Sequence, residues 1–95
     1  MYVQVSSIDI YPGKLEQIKT VFQELVLPLN KTQPGFVKFH LYSNEKDNKI
    51  IVNSFWDTKE NIETVFSSGI YQEQVSKFEK LFSSSPIRSV FKVSI

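Results

Sequence analysis

One histidine, one tryptophan and no cysteine bound the chemistry this sequence can perform. His40 is the only side chain whose ordinary pKa lies near neutrality, which makes it the candidate general base and catalytic residue. It alternates with Phe36, Lys38 and Tyr42, so a strand here surrounds it with an aromatic and cationic strip. The plainer reading is a polar residue on a solvent-facing or intersubunit face. Trp56 offers an indole donor and a broad flat surface, suited to an aromatic ligand or to anchoring a strand-to-helix corner. Phe66 and Tyr71 either line the same cavity or pack as core. Asn53 is an amide inside an apolar run, on the face opposite Trp56. A buried amide must be hydrogen-bonded, so it pairs with a neighbour or points at a ligand. Lys38 and Arg88 either neutralise an anionic substrate or remain solvated charges.

Other classes of chemistry are excluded by composition. One imidazole and no thiolate leave only scattered carboxylates, so no metal and no cofactor are expected. Eleven basic against ten acidic residues, a formal net charge of +1, give no electrostatic footprint for nucleic acid or an anionic membrane. The run Lys49 to Trp56 also lacks the glycine-aromatic pattern with which sheet-based RNA modules stack bases. No apolar run approaches the roughly 20 residues of a membrane span, and Met1 leads straight into a strand instead of a leader. A cytoplasmic location is expected.

The elements that must position these residues follow from periodicity and punctuation. Tyr2 to Ile10 reads as a strand, with Tyr2, Ile8 and Ile10 on one side and Val3 and Val5 on the other. After Pro12-Gly13, residues Leu15, Ile18, Phe22, Leu25, Val26 and Leu29 recur at helical spacing, and Pro28 should kink or end that helix. Pro34-Gly35 opens a second strand, and Asn44 to Asn48 turns it into a third ending at Trp56. Asp57-Thr58-Lys59-Glu60 predicts a capping box, Asp57 with Glu60, for a short helix carrying Ile62, Val65 and Phe66. Ser67-Ser68-Gly69 interrupts, and a further helix over Ile70 to Phe82 presents Tyr71, Val75, Phe78 and Phe82. Ile87 to Ile95 supplies the last strand.

Strand, helix, strand, strand, broken helix, strand is an α+β order, a ferredoxin-like four-stranded antiparallel sheet with helices on one face, in a single domain over 1–95. Strands two and three carry large apolar residues at both parities. A two-layer domain covers only one sheet face, and a chain of this length buries roughly 60–65% of its unfolded surface. A second copy is the expected cover, which predicts a homodimer, with Phe36 or Phe39 facing the partner.

The punctuation is similar to that of the antibiotic biosynthesis monooxygenase superfamily. The residues that carry the resemblance are Pro12-Gly13-Lys14, Pro34-Gly35-Phe36-Val37, Trp56, Lys59-Glu60 and Ser68-Gly69-Ile70-Tyr71, across nearly the whole chain. The resemblance implies a dimeric α+β barrel with a cavity between sheet and helices in each subunit. It also implies cofactor-independent oxygenation of a small planar aromatic or quinol-like compound, whose anion reduces dioxygen directly. Many members carry histidines where this chain has Val65 and Ile70. The haem-degrading branch uses an asparagine, a tryptophan and a ligating histidine where this chain has Ser6, Val65 and Val75, so haem degradation does not follow. The alternative is a non-catalytic, small-ligand-binding or stress-related accessory dimer of the same fold.

Overall fold

Strand-forming β-branched runs and two amphipathic helical stretches give the order expected from the sequence. The computed structural model describes residues 1–95. It runs β1 (Tyr2–Asp9), α1 (Leu15–Val21), a π-helical segment (Phe22–Val26), α2 (Leu27–Lys31), β2 (Phe36–Asn44), β3 (Lys49–Trp56), α3 (Lys59–Ser67), α4 (Ile70–Phe78), a 3-10 turn (Glu79–Leu81) and β4 (Ile87–Lys92). The strands form one antiparallel sheet ordered β2-β3-β1-β4, the ferredoxin-like arrangement. The last strand stops at Lys92, short of the expected Ile95.

Alternation along β3 sorts the sheet into two faces. Ile50, Val52, Ser54 and Trp56 are buried beneath the helices, and Ile51, Asn53 and Phe55 look the other way. On the helix side Ile8, Ile18, Phe22, Val26, Ile50, Val52 and Phe78 form the main core, and Trp56, Ile62 and Val65 form a second cluster beside it. Full burial of a side chain such as Ile18 or Ile50 stabilises the fold by about 1.5–3 kcal/mol.

Two local irregularities change which residues meet. In β2, Phe36 pairs with Trp56 but Lys38 with Phe55, so Val37 is an extra residue and a bulge. Simple parity puts Phe36 on the face of Lys38, His40 and Tyr42; the bulge turns it to the helix side, where its ring meets Trp56 edge-on at 5.3 Å. Phe39 also lies on the helix side, 5.8 Å from Phe22. Neither phenylalanine is therefore the partner-facing residue that alternation suggested.

The other irregularity is the π segment. Pro28 has no N–H for the carbonyl four residues back, and its ring clashes there. The helix widens immediately before it, the Leu27 amide bonding to the Phe22 carbonyl five residues back, and then continues to Lys31. At about 100° per residue, Asn30 in a regular helix would sit about 120° around from Ile18; one extra residue in the turn returns it to within about 20°. Asn30 is accordingly buried, while Leu25, expected on the apolar stripe, is 37% exposed and Leu29 only half-buried.

The capping box forms one residue later than the sequence suggests. Thr58 is the N-cap and Asn61 its partner: the Asn61 amide N–H donates to Thr58 Oγ1 at 3.1 Å and the Thr58 N–H to Asn61 Oδ1 at 3.0 Å. The Asn61 side chain packs onto Gly35, which has φ +81° and no room for a Cβ, while the Gly35 carbonyl accepts the Asp57 N–H at 2.8 Å. Gly35 thus joins the start of β2 to the start of α3. Replacing Gly35 by Ala should cost about 2–4 kcal/mol, the left-handed penalty plus the displaced cap. Gly13→Ala, with similar φ but open space around it, should cost only about 1–2 kcal/mol. Urea denaturation of the two variants checks this, and equal losses would contradict the Gly35–Asn61 coupling.

Candidate functional site

A cavity of about 50 Å³ lies between the helix face of the sheet and the helices. Its apolar wall includes Phe22, Phe39, Val52, Ile62, Val65 and Phe78; polar groups enter from three sides, Ser6 and Ser54 from the sheet, Asn30 from α2, and Tyr71 and Gln74 from α4. Tyr71, Gln74 and Phe78 follow at i, i+3, i+7, so one face of α4 delivers all three.

The polar groups differ in what they have left to offer. Trp56 Nε1 donates to Ser54 Oγ at 3.0 Å, so its donor is engaged within the protein and its contribution to the cavity is a flat apolar surface. Gln74 is 6% exposed, and its Nε2 is buried with no acceptor. Tyr71 is half-buried and stacks with Phe66 at 5.2 Å. The Arg88 guanidinium lies 4.0 Å from the Phe66 ring centre and 5.8 Å from that of Tyr71, forming a cation–π stack at the meeting of β4 with the α3–α4 corner. No carboxylate pairs with Arg88, and its buried Nε has no acceptor. Burial raises the Tyr71 phenol above its ordinary pKa, with the Arg88 charge and the Ser6 hydroxyl acting in the opposite direction. At neutral pH the phenol is a hydrogen-bond donor, not a base.

The residues singled out from sequence divide between the two sheet faces. Trp56 and Tyr71 line the cavity. Phe66 lies outside it, against Tyr71 and Arg88. His40 and Asn53 are cross-strand partners on the opposite face. The exposed His40 ring is 6.0 Å from Tyr42 and 6.3 Å from Phe55, and the Lys38 ammonium is 4.7 Å from the Phe55 ring. The thickness of the sheet separates His40 from Trp56. Gln74, Asn30 and Ser54 were absent from the sequence reading as site residues. Gln74 had a signal, its helical spacing from Tyr71 and Phe78; Ser54 shares the parity of Val52 and Trp56; Asn30 had none, because its place depends on the π turn.

No group of three or more His, Cys, Asp or Glu side chains converges anywhere in the molecule, and no helix is long and apolar enough to cross a membrane. Over residues 1–77 the sequence matches the family model of antibiotic biosynthesis monooxygenases. The chain belongs to the antibiotic biosynthesis monooxygenase family. Among solved structures it is similar to a Bordetella bronchiseptica protein assigned to the same family, with TM-score 0.84, 20% identity, and 99% of this chain and 97% of that one covered. It is also similar to SnoaB, a cofactor-independent oxygenase from Streptomyces nogalater, with TM-score 0.81, 17% identity, and 99% and 93% covered. A third is the ActVA-Orf6 monooxygenase of Streptomyces coelicolor, solved in complex with nanaomycin D, with TM-score 0.81, 12% identity, and 99% and 89% covered. These identities speak for a shared antibiotic biosynthesis monooxygenase fold. No curated protein matches the sequence.

The Tyr71 environment has a pH signature. Its folded pKa is raised, so the folded state holds this proton more tightly than the unfolded chain does. The associated stability is fully present below the ordinary phenol pKa of about 10 and is lost as pH rises through the folded value. Ultraviolet titration should show one of the four tyrosines ionising late, and Tyr71→Phe should remove that late component. A late phenol persisting in Tyr71→Phe would contradict the assignment.

Proposed function

We propose that the protein is a cofactor-independent monooxygenase acting on a small planar aromatic or quinol-like compound held against Trp56 and Tyr71. The observation that carries this reading is a mostly apolar cavity lined by aromatic surface, with the Tyr71 hydroxyl and the unpaired Gln74 amide in its wall, in a chain of the antibiotic biosynthesis monooxygenase family. In such a site a phenol or enol loses its proton, the anion transfers an electron to dioxygen, and the radical pair combines at carbon. Water then leaves, so a CH2 flanked by the conjugated system becomes a carbonyl as O2 becomes that oxygen plus one water. The protein contributes a dry cavity and donors that favour the substrate anion, the Tyr71 hydroxyl foremost, with Arg88 behind it as the fixed positive charge.

Two features set the demands on this reading. A cavity of about 50 Å³ is well below the roughly 150 Å³ that holds benzene elsewhere, so a ring must part the walls to enter. The lining also contains no imidazole or carboxylate, so proton removal falls to solvent or to the substrate's own ionisation. That second feature favours the alternative, a non-catalytic small-ligand-binding or stress-related accessory protein. A quinol titration decides between them. Oxygenation requires quenching of the single tryptophan together with oxygen uptake that falls by about 100-fold or more in Tyr71→Phe, on the usual scale of lost transition-state donors. Quenching without oxygen uptake supports the binding protein, and no quenching removes both.

The homodimer belongs to the same proposal. The sheet face away from the helices carries Val3, Val5, Ile51 and Phe55, with Ile87 72% and Phe91 55% exposed, and a second copy packed through that face would cover them. Light scattering should give twice the monomer mass, and Phe91→Lys combined with Ile87→Lys should halve it. A monomeric unsubstituted protein at micromolar concentration would exclude the dimer.

A further inference from the structure

We infer that the Gln74 side-chain amide selects and orients the ligand of this cavity by donating a hydrogen bond to a carbonyl-type oxygen, so that the preferred ligands are aromatic ketones and quinones over hydrocarbons of the same shape. The inference rests on the reading of the cavity as a ligand site. Gln74 is 6% exposed in the cavity wall, among apolar side chains that include Val75 and Phe78. Its Nε2 is buried without an acceptor. A buried amide donor without an acceptor is a standing cost to the fold, and an apolar side chain of similar length at this position would carry none. The cost is recovered when an acceptor enters the cavity. Tyr71, one turn earlier on the same helix face, supplies a second donor because its proton is held tightly. A ligand oxygen at Gln74 therefore fixes the ring's direction relative to Tyr71.

A discrimination of this kind follows from unequal partners. A carbonyl ligand satisfies the amide, whereas a hydrocarbon of the same shape enters the same apolar space and leaves the amide unpaired. The expected difference in affinity is about tenfold, the scale of one neutral hydrogen bond.

The test uses the purified full-length protein with 1-tetralone and tetralin as probes, followed by calorimetry and by the side-chain amide resonances in 1H–15N spectra. Tetralone should bind about tenfold more tightly than tetralin and shift the Gln74 side-chain N–H signals; tetralin should not shift them. Gln74→Leu should raise the melting temperature, leave tetralin affinity unchanged and abolish the preference for tetralone. Should Gln74→Leu fail to fold, Gln74→Met serves, and the spectra of the unsubstituted protein decide independently. Equal affinity for the two probes, or a Gln74 signal indifferent to tetralone, overturns the inference while leaving the cavity a ligand site. Binding of neither probe overturns the ligand-site reading with it.

Discussion

The fold is organised about the helix-facing row of β3, Ile50, Val52, Ser54 and Trp56. β3 is a central strand, paired with β2 on one side and β1 on the other, so this row must be covered from above. Covering it fixes where α1, the π segment, α3 and α4 lie. Apolar residues dominate the row except at Ser54, whose hydroxyl accepts the Trp56 indole N–H. That bond satisfies a buried donor without help from any helix, and it lets Trp56 close one end of the layer while its ring faces the cavity. The same corner is tied again through Gly35, Asn61 and Thr58, which sets the angle at which α3 leaves the sheet.

Hydrogen-bond donors gather in and beside the cavity left between the layers. Tyr71 is held protonated by burial, Gln74 has an unpaired amide N–H, and Arg88 stands just behind Tyr71 with no carboxylate partner. An apolar enclosure strengthens each of these groups toward an incoming oxygen. The arrangement favours ligands that bring electron pairs, and it stabilises an anion better than it removes a proton.

The opposite face of the sheet has a different chemistry. Lys38, His40 and Tyr42 on β2 are exposed, and Asn53 beside His40 holds a buried carbonyl oxygen without a donor. Towards β1 and β4 the face becomes more apolar. The one imidazole of the chain therefore stands on the surface available to other molecules, with a whole layer of backbone between it and the cavity.

The element order, the antiparallel sheet and the inward stripe of Ile18 and Ile62 on their helices were legible in the sequence because they depend on local periodicity and on the number of residues in each element, and the family was legible as a resemblance in the punctuating residues from Pro12-Gly13-Lys14 to Ser68-Gly69-Ile70-Tyr71. Trp56 and Tyr71 were legible as candidates for the same reason. The positions that periodicity misassigned lie just beyond a slip of one residue. The bulge at Val37 turns Phe36 inward, the widened turn before Pro28 moves Leu25 and Leu29 out of full burial and brings Asn30 in, and the cap falls on Thr58 in place of Asp57. Pro28 announces some disruption, but whether a helix kinks, stops or takes in an extra residue depends on what the following turn packs against. Which face of the sheet receives the helices is likewise a property of the assembled layers, so the separation of His40 from Trp56 and Tyr71 was decided only in the tertiary structure.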